Sequence, residues 1–258
     1  MEKRKMKRLI SVLLAALTFT CGAIFMSGCK NDDNVLKVGV TEYKPLDYTE
    51  DGSGEWIGFD ADLAKEVGNI LGKEVRFVKI QWANKVISIN SGEIDVIWNG
   101  MTITEELKQS LLISEPYNEN TQVIVCQKGE VEKYKTKADL EKAASILAES
   151  GSAGENAVKS VIGNSNKLIK AKSQIACLLE VKVAATTVCV IDKIMAQSLI
   201  NKDTDYSDLA FVDVGFEKEQ FGIGFRKNDV SLKNDVESAI KTLKENGKYQ
   251  EIYDKYLG

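Results

Sequence analysis

The stretch Ile94–Tyr117, IDVIWNGMTITEELKQSLLISEPY, decides the fold. After the turn signal Ser91-Gly92, Asp95–Trp98 is a short apolar run that reads as a buried strand. It ends in Asn99-Gly100. Thr102 and Thr104 then precede Glu105 and Glu106, which suit the first turn of a helix. A strand, a glycine loop and a helix N-terminus thus follow one another closely. At the carboxyl end of a strand in an open α/β sheet, such a junction is where small ligands sit, held partly by unpaired helical N–H groups. The spacing alone fits an ordinary strand-to-helix turn equally well.

Working outward, Val35–Val40 is an apolar run suited to a first buried strand, and Thr41–Asp51 is a loop holding Tyr43, Pro45 and Tyr48. Phe59–Leu71 places Leu63, Val67, Ile70 and Leu71 at helical spacing, and Gly72 stops it. Val75–Ile80 alternates as a strand does, and Asn84–Ile89 reads as a helix. Strand alternating with helix predicts an α/β fold whose sheet is mostly parallel and covered on both faces.

The pattern then repeats. Gln122–Cys126 is a strand, Tyr134–Ala144 a lysine-rich loop and helix, and Ser145–Ala148 a strand. The small-residue loop Glu149–Gly154 leads into a helix over Glu155–Ile162, and Thr186–Ile191 is a strand with Asp192 at its end. Phe211–Val214 precedes the return, and Gly222–Phe225 re-enters the first unit. Leu232–Asn246 is a helix closed by Gly247, with a short tyrosine-rich helix after it. The expected organisation is two lobes, 35–117 with 222–258 and 122–216, joined by hinges at 118–121 and 217–221.

The N-terminus carries MEKRKMKR and then an apolar run, Leu9–Phe25, which reads as a signal peptide over residues 1–28. Met26-Ser27-Gly28-Cys29 resembles a bacterial lipobox, making Cys29 the lipidated first residue of the mature chain, with 29–34 a polar tether. The alternative is plain signal cleavage that leaves Cys29 a free thiol. The leader holds five of the 34 Lys/Arg and one of the 38 Asp/Glu, so the formal charge of the remainder moves from −4 to −8. An acidic body argues against nucleic acid or an anionic membrane surface as partner. Cys126, Cys177 and Cys189 remain in the body, with no CxxC and no histidine, which disfavours structural zinc. Cys126 and Cys189 lie in apolar runs that suit buried thiols, though a disulfide stays open.

Gly58–Gly68 (GFDADLAKEVG), the run SGEIDVIWNGMTITEE and SEPY resemble the amino-acid-binding family of extracytoplasmic solute-binding proteins of ABC importers. The resemblance continues through Val190–Asp192 (VID), Phe221–Asp229 (FGIGFRKND) and the C-terminal LKENGKYQEIYDKYLG. It implies a two-lobed periplasmic-binding-protein-like fold of type II that closes over a small polar ligand and delivers it to a membrane permease. It further implies no cofactor, a monomer, and attachment to the cell membrane through the lipid on Cys29.

The resemblance places Tyr43 and Trp82 as aromatic walls of the cleft, which suits apolar or cationic ligand groups; their alternative is core packing. Asn99, Gly100, Met101 and Thr102 belong to the lobe-one loop that meets the ligand's α-amino and α-carboxylate groups. Ser152 and Ala153 match the lobe-two loop whose N–H groups bind the same carboxylate. Asp192 matches the acid for the α-ammonium, and would otherwise be a helix N-cap.

Leu107 departs from the pattern, since the family usually has Arg there. Arginine grips a carboxylate through two parallel charge-assisted hydrogen bonds, and leucine makes neither. A cleft with Asp192, Glu149 and Glu42 but no Arg favours an amine over an amino acid. The expectation is therefore an amino acid bound weakly, a cationic or neutral compound lacking the carboxylate, or lost binding. A dehydratase-like enzyme would need a positioned acid together with cations for substrate carboxylates, and no catalytic residue is expected. A receptor sensor domain would need a transmembrane or signalling segment after Gly258.

Overall fold

The computed structural model describes residues 34–50, 54–183 and 187–258. The expected leader, Cys29 and nearly all of the tether lie outside them. Strand β1 (Val35–Val40) is buried along almost its whole length, as a strand covered on both faces must be. The loop after it contains a small antiparallel pair, β2 (Tyr48–Thr49) with β3 (Trp56–Ile57), too short to give a periodic signal. Helix α1 (Phe59–Leu71) buries Phe59, Leu63, Ala64 and Val67 on one stripe and ends at Gly72. Strand β4 (Glu74–Lys79) is followed by a single 3-10 turn, Trp82–Asn84, that runs into α2 (Lys85–Asn90). Strand β5 (Val96–Ile97), α3 (Glu105–Ser110) and β6 (Leu112–Ile113) complete the decisive stretch.

The ten-residue strand β7 (Asn118–Gln127) carries the chain into the second lobe. The helix expected over Tyr134–Ala144 is instead a 3-10 segment, Lys137–Lys142, closed by a capping box between Thr136 and Asp139. Only Leu140 is buried in it, so there is no apolar stripe to hold an α-helix. Then come β8 (Ser145–Glu149), α4 (Ala153–Ile162), β9 (Leu168–Ala171), α5 (Gln174–Val183), β10 (Thr187–Asp192) and α6 (Lys193–Leu199). Strands β11 (Leu209–Val212), β12 (Lys218–Phe221) and β13 (Gly224–Phe225) lead to α7 (Val230–Glu245) and α8 (Lys248–Tyr256).

The strands form two main sheets, β4-β1-β5-β13-β6 and β11-β7-β10-β8-β9. The mostly parallel arrangement expected is present, with one reversed strand in each sheet, β13 in the first and β7 in the second. The pairs β1–β5, β8–β10 and β8–β9 are parallel, whereas β13 lies antiparallel to β5 and β6, and β7 antiparallel to β10 and β11. The reason is connectivity: a strand arriving from the other lobe has no crossover helix to return it in the parallel sense. Strands β7 and β12 also pair with each other, from Thr121↔Lys218 to Asn118↔Phe221. Both chain crossings are thus one hydrogen-bonded ribbon.

Phe59, Trp98, Phe221 and Phe225 are fully buried. The Phe59 ring meets Tyr249 and Tyr253 edge-on at 5.6 and 5.8 Å, so the tyrosine-rich last helix is a lid on the lobe-one core. Cys126, Cys177 and Cys189 are all free and buried. Among the described residues, no helix is long and apolar enough to cross a membrane.

Candidate functional site

A cavity of about 370 Å³ opens at the strand ends of both lobes. Tyr43, Trp82, Asn99, Gly100, Met101, Thr102, Leu107, Glu149, Ser152, Ala153 and Asp192 all line it. The fold therefore brings together the cleft residues expected from sequence, Glu42 excepted. It does not give each of them the expected role.

On the lobe-one side, most polar groups are already used. The Asn99 side chain accepts from the Thr41 N–H and hydroxyl and donates to the Thr41 carbonyl and to Asp47. The N–H of Gly100, in the loop expected to meet the ligand, goes to Asp60 at 2.8 Å. Gly100 has φ of 58°, and a Cβ there would sit 2.7 Å from Leu46 Cδ1 and 3.0 Å from Tyr43 Cε1, so no side chain fits. The Thr104 hydroxyl caps α3 by accepting the Leu107 N–H at 3.1 Å. Leu107 itself packs with Val78, Val86 and Ile113 against the core around Ile89 and Met101. Glu42 is a further correction: its carboxylate is tied to Thr49 and Lys79, away from the cavity.

The two aromatic residues both pack and line. Tyr43 is 3% exposed, and its buried hydroxyl closes no hydrogen bond with a described residue. Burial, and the nearby Asp192 charge after it, push that hydroxyl's pKa well up. Trp82 is 8% exposed and carries the ammonium of Lys85 over its ring at 4.6 Å.

Asp192 sits at the N-cap position of α6 but does not cap it. Its carboxylate instead accepts from Asn120 Nδ2 and Gln122 Nε2 at 2.6 Å each, and from Gln174 Nε2, while its own N–H donates to Gln174 Oε1. Burial raises its pKa, and the Gln174 and Gln122 donors oppose that rise. Behind it, Glu219 of the crossing ribbon accepts from the same Asn120 and Gln122 amides, and burial together with Asp192 raises it to about 8. Glu149, at the end of β8, is likewise pushed up to about 8 by burial and by Asp192, with Lys85 pulling the other way.

In the lobe-two loop, Ser152 is used internally. Its hydroxyl accepts the Glu155 N–H, and its N–H reaches the Glu149 carbonyl at 3.1 Å. Ala153 opens α4, where the first N–H groups have no intrahelical acceptor. Glu155 is held down to about 2 by Lys159, Lys170 and the Gly151 N–H, against its own burial.

The groups missed from sequence are Asn120, Gln122, Gln174, Glu219 and Lys85. The amides carried no local signal, because they converge only in the fold, Asn120 and Gln122 from β7 and Gln174 from α5. Lys85 followed Trp82 at the start of an amphipathic helix, where a lysine normally faces solvent.

Residues 36–258 match the family described as bacterial extracellular solute-binding proteins, family 3, and the chain belongs to it. A probable histidine-binding protein of Neisseria gonorrhoeae is 28% identical, over 98% of this chain and 96% of that protein. An ancestral arginine-binding protein bound to arginine superposes with a TM-score of 0.81 at 32% identity, covering 87% of this chain and 99% of that one. An ancestral amino acid-binding protein that is a precursor of cyclohexadienyl dehydratase gives a TM-score of 0.78 at 30% identity, covering 88% and 97%. The mixed α/β two-lobed architecture and the ligand-capturing cleft are those of the amino-acid-binding members of this family.

Proposed function

We propose that this chain is the extracytoplasmic, lipid-anchored binding component of an ABC importer, enclosing an amino acid or amino-acid-like amine and passing it to its permease. The observation that carries this reading is the buried carboxylate of Asp192, oriented by three side-chain amides at the wall of a two-lobed cavity with Tyr43 and Trp82. A carboxylate fixed in that way is ready to receive an ammonium group at little further ordering cost. Residues 118–121 and 217–221 serve as the hinge, and closure by ligand biases the two-state equilibrium that the permease reads. Cys29 supplies the membrane anchor.

The chain binds without turnover. Support comes from the binding proteins among its relatives, although a dehydratase precursor shares the fold. The test is a thermal-shift screen of the purified chain against amino acids, amines, polyamines and nucleobases, followed by recovery of the bound compound. Ligand that binds only the folded state raises the melting temperature by mass action. Stoichiometric release of the unchanged compound is expected, and a converted product would overturn the binder reading.

A further inference from the structure

The cavity offers a cation that does not depend on position 107. Lys85 opens α2, is only 6% exposed, and projects across the cleft from lobe one to lobe two. Its ammonium donates to the Gly151 carbonyl at 2.8 Å and to the Trp82 carbonyl at 3.3 Å. Gly151 holds φ of 73°, and a Cβ there would lie 3.3 Å from Ala83 Cα, so the loop reaches this close only as glycine. An ammonium has three protons. Two carbonyls therefore leave one donor, and Lys85 makes no ion pair with any described residue.

The other cavity cations are committed. Lys159 and Lys170 both bind Glu155, at one end of the same loop. A buried cation facing a cavity without a counter-ion is costly unless something anionic meets it. Beside Gly151, the N–H of Ala153 begins α4, where the helix dipole favours negative charge.

The opposite pole is Asp192. Glu149 feels both, raised by Asp192 and lowered by Lys85, so it stands within electrostatic reach of each. At neutral pH it is mostly protonated, and Glu155 is neutralised by its lysines. Burial brings Lys85 down to about 8, against the pull of Glu149, Glu106 and Glu155 from the three elements that face it, so it stays charged at neutral pH. Asp192 and Lys85 are thus the two buried poles of the cavity, with Glu106 an exposed acid at its rim.

We propose that Lys85 is the carboxylate anchor of this cavity, so that the site takes a zwitterion, with its carboxylate between Lys85 and the Ala153 N–H and its ammonium on Asp192. The proposal rests on the binding-protein reading above. It selects an α-amino acid, or a comparably short amino acid, over an amine without a carboxylate. The family's usual Arg and this Lys would reach the same group from neighbouring helices, α3 and α2.

The test is titration calorimetry of the purified full chain near pH 6, where an α-amine is protonated whether or not its carboxylate is free. The probes are the standard amino acids, then the decarboxylated amine and the α-carboxamide of the tightest binder. The amino acid should bind at least ~30-fold tighter than either analogue, as a desolvated charge-assisted contact requires. Lys85→Met should bring amino acid and carboxamide within about 3-fold of each other, and Lys85→Arg should restore part of the preference. An amine bound as tightly as its amino acid overturns the proposal in the unmodified protein, whether or not a variant folds. A Lys85→Met that weakens amino acid and carboxamide equally also overturns it, leaving Lys85 a tie to Gly151 alone. If neither amino acids nor amines bind, the binding-protein reading itself fails and this proposal falls with it.

Discussion

Two strand-to-helix junctions face the cavity from opposite lobes, and they spend their polar groups differently. In Asn99–Thr104 the side-chain amide, the Gly100 N–H and the Thr104 hydroxyl are all bound to lobe one's own atoms. In Glu149–Ala153 the hydroxyl of Ser152 is spent in the same way, but the Glu149 carboxyl, the Gly151 carbonyl and the Ala153 N–H stay at the cavity. The first junction is a rigid wall; the second, with Asp192 beside it, carries the charge. The acids of the two lobes show the same contrast. Asp60 is fully buried and fixes Gly100 and Tyr117, whereas Asp192 is oriented by amides towards the cleft. A loop–helix motif therefore offers ligand contacts only where the surrounding fold leaves its donors and acceptors unspent.

Asp192→Asn tests that contrast with the largest expected effect. It removes the charge facing the ligand ammonium and turns an NH2 towards one of the amide donors that the carboxylate now accepts. Binding should weaken about 100-fold or more, and the melting temperature should fall modestly with the chain still folded. Calorimetry together with a melting curve measures both. Weakening below about 5-fold would place the ammonium elsewhere.

Asp60→Asn should do the reverse. The Tyr117 hydroxyl and the Gly100 N–H both donate to Oδ2, at 2.7 and 2.8 Å, so an amide oxygen can take its place. The NH2 then sits at the buried Oδ1 position with no acceptor, and the donors lose a charged partner. Urea denaturation should show a loss of roughly 2–3 kcal/mol. A variant of wild-type stability that binds much more weakly would break the division between wall and charge.

Glu149→Gln should give the smallest effect, and a pH-dependent one. The folded-state pKa of Glu149 is raised to about 8, well above its ordinary value near 4.5. Between those values the folded state keeps a proton that the unfolded chain has lost, so stability falls as pH rises through this window, and the contribution vanishes below it. Glutamine removes the dependence. The variant should gain roughly 1–2 kcal/mol over wild type at pH 8 and almost nothing near pH 4. Denaturation at the two pH values checks it, and an equal gain at both would assign the effect to packing.

Much of the fold was legible because it is written in short-range patterns. Phe59–Leu71 shows an apolar stripe at helical spacing, and the structure has that helix with those bounds. Val35–Val40 reads as a doubly covered strand and is one. The segment around Leu140 failed because its lysines and apolar residues fit a helix locally while the lobe buries too little of it. The one reversed strand in each sheet, β13 and β7, was not legible for another reason: its direction depends on how the chain crosses between lobes, and no local pattern records that.

The sequence by itself determined the alternation of strands and helices, the family, and which loops would meet at the cleft, since periodicity, turn residues and motif order are local properties. Only the tertiary structure decided which of those residues keep a free hand. Asn99 and the Gly100 N–H are claimed by Thr41, Asp47 and Asp60, more than 35 residues away in each case. Lys85 becomes a buried cation because Trp82 and a loop 66 residues further on close over it. Burial and hydrogen-bond competition are set by contacts between distant segments, and those contacts exist only in the folded chain.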